Sequence, residues 1–283
     1  MLSYRHSFHA GNFADVLKHA VLAEILSHLT KKEKPIVYID THAGAGLFNL
    51  RSQEAEKLGE YRDGIAKVIN KGYPEMAAYL GLVKGMNKPG LLTRYPGSPM
   101  VAGHFLRRQD RAELYELHPQ DFATLSKNIA GSQLPVRKNV SVQNEDGLKG
   151  FLALLPPVSR RGLVLIDPSY EIKFEYDQVV VALEKAHKKF STGVYALWYP
   201  VVERERIDRL ERRLIATGIK NIHQYELGVR EDAVDQGMTS SGMIVINPPW
   251  GLFDSMKSVL PKLAKALGQE NQVVFRCRAL VDE

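Results

Sequence analysis

The chain has 283 residues, with 38 lysines and arginines against 32 aspartates and glutamates, a formal net charge of +6, and 45% hydrophobic and 25% charged residues. That is the composition of a soluble globular protein built as one large domain or one domain with an insertion. No apolar run is long enough to cross a bilayer, the start Met1-Leu2-Ser3-Tyr4-Arg5-His6 is too polar for a signal peptide, and the single cysteine, Cys277, excludes an internal disulfide and a multi-cysteine zinc site. A reducing, cytoplasmic setting is the expectation, and the positive balance is compatible with a polyanionic partner without requiring one.

Residues 12–29 read as an amphipathic helix. Asn12 is its N-cap, Asp15 sits in the first turn, and Phe13, Val16, Leu17, Ala20, Val21, Ile25 and Leu29 recur at helical spacing. On this pattern Lys18 takes a solvated helix position, while Tyr4 and His6 belong to a frayed terminus. Pro35 then opens Ile36-Val37-Tyr38-Ile39-Asp40, a short apolar run suited to a buried parallel strand. Residues 48–104 are charged, punctuated by Gly72, Pro74, Pro89, Gly90, Pro96 and Gly97, and helix-like over 54–69 and 75–86. This interval is too long for a simple crossover and reads as a mostly helical insertion. Strand-like runs follow at 113–116, 140–142, 163–167, 193–198 and 242–247, with helix-like stretches between most of them, as at 177–189 and 203–217. Strands alternating with helices predict an α/β fold with a doubly wound sheet. The expected division is 1–47 (arm, helix, first strand and glycine loop), 48–104 (helical insertion) and 105–283 (the rest of the main domain).

Asp40-Thr41-His42-Ala43-Gly44-Ala45-Gly46 follows the first strand, where small residues such as Gly44 let the backbone approach a nucleotide-type ligand. The loop alone is weak evidence of a site: it lacks the glycines of a dinucleotide fingerprint and the Lys-Ser/Thr of a P-loop. Its acidic companions strengthen it. Glu116 ends the second run, as expected of a carboxylate holding ribose hydroxyls, and Asp146-Gly147 follows the third, placed to accept from an adenine amino group. Asp167 ends the fourth. Ligands of open α/β sheets sit beyond the carboxyl ends of the strands, so the four strand ends converge on one crevice.

Two segments share the form acid or amide, proline, small residue, aromatic: Asp167-Pro168-Ser169-Tyr170 and Asn247-Pro248-Pro249-Trp250. The pattern suits methyl transfer to an exocyclic amine, whose lone pair is delocalised into the base. A side-chain acceptor and a backbone carbonyl, fixed by the proline, hold the two N–H groups and localise that lone pair. The aromatic ring stacks on a base taken out of its helix. Alignment then supplies most of the rate, and the acceptor stabilises the developing positive charge. Asp167, Pro168 and Tyr170 are the catalytic candidates because their strand comes fourth, beside the first. Asn247 ends the last run, commonly antiparallel in such sheets, so it falls on the far edge while Thr239-Ser240-Ser241 lies nearer the site.

Beyond these motifs the chain resembles the RlmJ family of 23S ribosomal RNA (adenine-N6)-methyltransferases along nearly its whole length. The resemblance is densest in 1–12, in Ala14-Asp15-Val16-Leu17-Lys18-His19, in the loop 40–46, and in Tyr95-Pro96-Gly97-Ser98-Pro99. It continues through Glu116-Leu117-His118-Pro119, Ala196-Leu197-Trp198-Tyr199-Pro200 and 241–250. It implies a Rossmann-like class I methyltransferase sheet with a small helical insertion, S-adenosylmethionine as donor, and no metal. It also implies N6 methylation of adenine 2030 of 23S ribosomal RNA by a monomer. The implied cofactor pocket comprises His19, His42, Ser98, Glu116, Asp146, Gly147 and Asp167, with Gly44 from the loop. Tyr4, His6 and Lys18 are implied near the target base or the RNA backbone. One departure stands out: the family's Asp-Pro-Pro-Tyr has Ser169 at its third position here, which loosens the turn while Pro168 and Tyr170 keep their roles. Two alternatives stay open on the residues alone: a DNA adenine-N6 methyltransferase, and a non-catalytic RNA-binding or ribosome-assembly factor.

Overall fold

The computed structural model describes residues 5–171, 174–233 and 237–283. In chain order the strands are β1 (Val37–Asp40), β2 (Leu47–Asn49), β3 (Arg94–Pro96), β4 (Arg111–Tyr115), β5 (Val140–Gln143), β6 (Gly162–Ile166), β7 (Val194–Val201), β8 (Ile222–Gly228), β9 (Ser240–Ile246) and β10 (Val274–Val281). The helices are α1 (Phe13–Leu29), α2 (Gln53–Leu58), α3 (Ile65–Val68), α4 (Ala77–Gly85), α5 (Ser98–Phe105), α6 (Pro119–Ala130), α7 (Gly147–Gly150), α8 (Glu175–Lys189), α9 (Arg204–Ala216) and α10 (Leu252–Leu267).

The main sheet has eight strands in the order β10-β8-β9-β7-β6-β1-β4-β5. From β5 to β7 all pairs are parallel, whereas β9 is antiparallel to both β7 and β8, and β10 is antiparallel to β8. This is the mostly parallel α/β sheet expected, with an antiparallel end to which β10 is added as the edge strand. The central strands are apolar on both faces because helices cover both. Tyr38, Leu163, Leu165 and Val245 join residues of α1, α5 and α10 in one core, while Ile39, Val164, Ile166 and Ile244 join those of α8 and α9 in the other.

α1 begins where the sequence predicts: Asn12 accepts from the Asp15 amide at 3.0 Å. It is buried on nearly every face, wedged against α5, α10 and β9. Residues 48–104 are mostly helical, and β2, which begins at Leu47, pairs antiparallel with β3 across this interval. β8 and β10 were not expected as strands. In β8 the reason is polar burial: Gln224 and Glu226 are fully buried and break the apolar pattern. Glu226 is held by Arg204 through two bonds of 2.8 Å and by the Tyr199 hydroxyl at 2.9 Å.

The antiparallel course of β9 sends the two look-alike motifs to opposite ends of the sheet. Its start, Ser240, pairs with Val201, and its end, Ile246, pairs with Tyr195. Asn247 therefore leaves the sheet at the opposite edge, where its Nδ2 donates to the carbonyls of Ser191 and Gly193 at 2.8 Å each. Trp250 is 90% exposed there. Asn247-Pro248-Pro249-Trp250 is a strand exit.

Candidate active site

The carboxyl ends of β1, β4, β5 and β6 open into one cavity of about 930 Å³, the place and size expected of a ligand site in such a sheet. On one side, the chain after β1 bends through Gly44, which takes a left-handed φ of 59° that favours glycine. The bend aims the Gly44 amide at Glu116, just past β4, which accepts it at 2.8 Å on one oxygen and the His118 amide at 2.7 Å on the other. Each oxygen keeps acceptor capacity for a further donor. Burial raises the pKa of Glu116, against those two backbone bonds.

His42 also lines this side. Its Nδ1 lies 2.7 Å from the Thr41 hydroxyl, and burial pushes its pKa down to about 4, so it is neutral at pH 7. Asp146 caps α7, accepting from the Leu148 amide at 3.1 Å. Gly147 packs so tightly on the β1 loop that a Cβ there would overlap the Thr41 carbonyl, which explains a glycine at this strand end. Ser98 opens α5 and is buried, hydrogen-bonded to Asp40. Asp40 itself is fully buried and accepts from the Tyr38 hydroxyl at 2.7 Å; burial pushes its pKa up to about 6, against the bonds from Tyr38 and Ser98. In the sequence Asp40 ends a strand and heads the glycine loop, with no role of its own assigned.

On the other side, Asp167, Pro168, Ser169 and Tyr170 form part of the cavity wall beyond β6. Asp167 Oδ2 lies 2.6 Å from Lys18 Nζ. Burial raises the pKa of Asp167, opposed by the Lys18 ammonium. Tyr170 adopts φ 54°, an uncommon left-handed backbone for an aromatic residue and a local cost of about 1–3 kcal/mol. The turn is held by the Tyr170 hydroxyl, which donates to the Trp198 carbonyl at 2.8 Å, and by the Tyr176 ring, with centroids 4.2 Å apart. Trp198 Nε1 donates to Ser241 at 2.7 Å, so the start of β9 does lie on the site side, as expected.

Lys18 corrects the sequence reading most sharply. The position is no solvated face: Lys18 is 4% exposed, because α1 is buried all round. Its ammonium is held between Asp167 and Asp15 Oδ1, the latter at 3.0 Å, and lies 5.7 Å from the centre of the Trp198 ring. His6 is likewise no frayed residue. It sits in a turn of 3-10 helix with its Nε2 2.9 Å from Asp15. Tyr4 lies outside the described residues.

His19, one turn along, is 1% exposed. Its Nδ1 is 2.7 Å from the Tyr95 hydroxyl, which is 2.8 Å from that of Tyr79, and burial pushes its pKa down to about 3. Its Nε2 is buried without a hydrogen-bond partner among the described residues. Asp15, Tyr79 and Tyr95 are supporting residues that sequence reasoning missed. The aromatic Tyr95 before Pro96 was visible, but its role depends on a contact across 76 positions.

Comparison with known proteins gives the chain its family. Residues 33–277 match the model of the family described as Ribosomal RNA large subunit methyltransferase D, RlmJ. The chain is 51% identical over 269 residues to Ribosomal RNA large subunit methyltransferase J of Escherichia coli strain K12, covering 94% of each chain. It is 51% identical over 273 residues to the protein of the same name in Haemophilus influenzae, covering 95% of each. Among solved structures, it is similar to protein LPL1258 of Legionella pneumophila, with a TM-score of 0.87 and 37% identity over 96% of this chain and 98% of that one.

Proposed function

The chain belongs to the RlmJ family of ribosomal RNA large subunit methyltransferases, and on that footing we propose that it methylates the exocyclic N6 amino group of one adenine in 23S ribosomal RNA, with Asp167 as the catalytic acceptor. The observation that carries this reading is the placement of the Asp167 carboxylate: partly buried just past the end of β6, on the wall of the same cavity as Glu116, Asp146 and Gly44, with Pro168 next to it.

The family's donor is S-adenosylmethionine, and the residues on the β1–β4–β5 side fit it. Glu116, fixed by two amides with acceptor capacity left over, suits a pair of ribose hydroxyls. Asp146 and Gly147 suit an adenine ring edge, and the unpartnered buried Nε2 of His19 suits a donor to a carboxylate. His42, Ser98 and Asp167 complete the proposed pocket. When bound, the donor supplies an electrophilic methyl group on a sulfonium sulfur.

The chain's own residues do the rest. Asp167 and the carbonyl fixed by Pro168 accept the two N–H groups of the target amine, localise its lone pair and hold it in line. The carboxylate then stabilises the positive charge that grows on nitrogen. The amine's proton, acidified as the N–C bond forms, leaves afterwards to solvent. Tyr170 supports the flipped base, and the side chains of Lys18 and His6 line its approach. Exposed Phe174, Val181 and Val202 continue the cavity wall past Asp167, giving room for neighbouring nucleotides.

A monomer is the proposed state. No helix among the described residues is long and apolar enough to cross a membrane, in keeping with a cytoplasmic enzyme of ribosome maturation.

Labelled donor supplied with deproteinised 23S RNA from an unmodified source, and separately with duplex DNA, tests the substrate class. Label is expected in RNA alone. Label in DNA alone would replace this reading with a DNA methyltransferase, and label in neither with a non-catalytic RNA-binding role. Tyr170→Ala is expected to lower kcat about 10-fold or more, from a stacking contribution of roughly 1–3 kcal/mol, with donor affinity unchanged by isothermal titration. Equal losses in both would remove Tyr170 from the base-binding role.

A further inference from the structure

We infer that Asp15 is a positioning residue: it is the second berth of the Lys18 ammonium, and it frees Asp167 for the target amine by drawing that ammonium off. The inference rests on the reading of Asp167 as the acceptor.

The geometry is a shared cation between two carboxylates. Lys18 Nζ lies 2.6 Å from Asp167 Oδ2 and 3.0 Å from Asp15 Oδ1. Residues 15 and 18 are one turn apart, so α1 presents both on one face. The ammonium already bonds one of the two Asp167 oxygens, so it competes with the substrate N–H groups for that carboxylate. It also places a positive charge where the reacting nitrogen becomes positive, a like-charge interaction that low dielectric strengthens. The ammonium has to shift, and Asp15 is the partner already within reach.

Asp15 is built for this. It is 1% exposed and anchored by the Gly11 amide at 2.8 Å, while its own amide is held by Asn12. Burial alone would raise its pKa, but His6, Lys18 and His19 outweigh that and hold it well below the usual carboxylate range, so it stays charged. His6, its remaining partner, belongs to the N-terminal arm, with both Asp15 oxygens 2.9–3.0 Å from Nε2. Movement of the arm away from Asp15 therefore leaves more of the Asp15 charge for Lys18, and less of Lys18 on Asp167. Binding that displaces the arm is thereby coupled to exposure of the acceptor.

The test compares wild type with Asp15→Asn, which keeps the shape and the acceptor for the Gly11 amide but removes the charge. Donor affinity, read by titration, is expected to stay within about two-fold, while kcat for RNA methylation falls about 10-fold or more, because Lys18 stays on Asp167. The acidic limb of the kcat profile is the distinguishing readout. The groups around Asp167 are Lys18, His6 and Asp15 from the arm and α1, Tyr38 and Asp40 from β1, and Tyr170 from its own loop. Removing the Asp15 charge lowers the pKa of Asp167, so activity, which needs the ionised carboxylate, persists to lower pH. His6→Gln is expected to move the limb the other way, since Lys18 then leans toward Asp15; it tests the coupling without altering Asp15, should Asp15→Asn fail to fold. A purely structural Asp15 would lower donor binding and kcat together and leave the limb in place. Limbs unmoved in both variants overturn the inference. Failure of wild type itself to methylate RNA would instead strike the underlying reading.

Discussion

Asp167→Ala is expected to slow methyl transfer to RNA by about 100- to 1,000-fold, the usual cost of losing a preorganised group aimed at transition-state charge. The loss falls mainly on kcat. In the proposed pocket Asp167 would meet the donor only at its edge, with Glu116, Asp146, Gly44 and His42 lining the rest of the cavity, so donor affinity is expected to weaken by less than about 10-fold. The fold survives, because the Lys18 ammonium retains Asp15 at 3.0 Å and is not left buried without a counter-charge. Asp167→Asn separates geometry from charge: it keeps an oxygen acceptor in place and lacks the negative charge, so its activity should fall between the two. Single-turnover rates with saturating donor measure both variants. A rate for Asp167→Ala within a few-fold of wild type would remove Asp167 from the chemistry.

Glu116→Ala carries the second large effect, on binding. Two hydrogen bonds from ribose hydroxyls to a carboxylate are together worth about 3 kcal/mol or more, or at least 100-fold in affinity. The same carboxylate also fixes the Gly44 and His118 amides, so its removal loosens the loop under the donor as well. Donor affinity should drop by about 100-fold, with kcat recovering in part at high donor concentration. Glu116→Gln, which still accepts but places an amide where one backbone N–H points, should lose an intermediate amount. Unchanged donor affinity in Glu116→Ala would place the donor elsewhere.

How much of this was legible in the sequence depended on whether a residue's role is local. The inner strands β6, β7 and β9 were readable because burial on both faces gives long apolar runs, as in Leu163-Val164-Leu165-Ile166. Glu116, Asp146 and Asp167 were readable as candidates for a related reason: in an open α/β sheet, the residue just past a strand's carboxyl end faces the crevice. β8 was hidden because Gln224 and Glu226 are buried yet polar, and the Arg204 and Tyr199 groups that satisfy Glu226 lie 22 and 27 positions away. β10 was hidden by Arg276 and Arg278, charges that suit an edge strand but disguise its pattern.

Lys18 shows the limit for the site. Helical periodicity assigns it to water, and the error comes from assuming that α1 has a solvated face at all. Only the packing of α1 against α5, α10 and β9 reveals that this lysine is buried and must find carboxylates, and those are Asp15 one turn away and Asp167 across the sheet. Asp15 looked like an ordinary first-turn acid, a choice the helix dipole favours on its own. Its pairing with His6, and hence with the arm, is a tertiary fact.

The measurement that bears most directly on the central claim is the identity of the product. 23S RNA from a source lacking the modification, incubated with the enzyme and donor, is cleaved and analysed by mass spectrometry for the methylated nucleotide and its position. N6-methyladenosine at a single adenine, absent from a parallel reaction with Asp167→Ala, is the expected result. Methylation of a ring nitrogen, a ribose hydroxyl or a different base would contradict the assignment of Asp167 as the acceptor for an adenine amine.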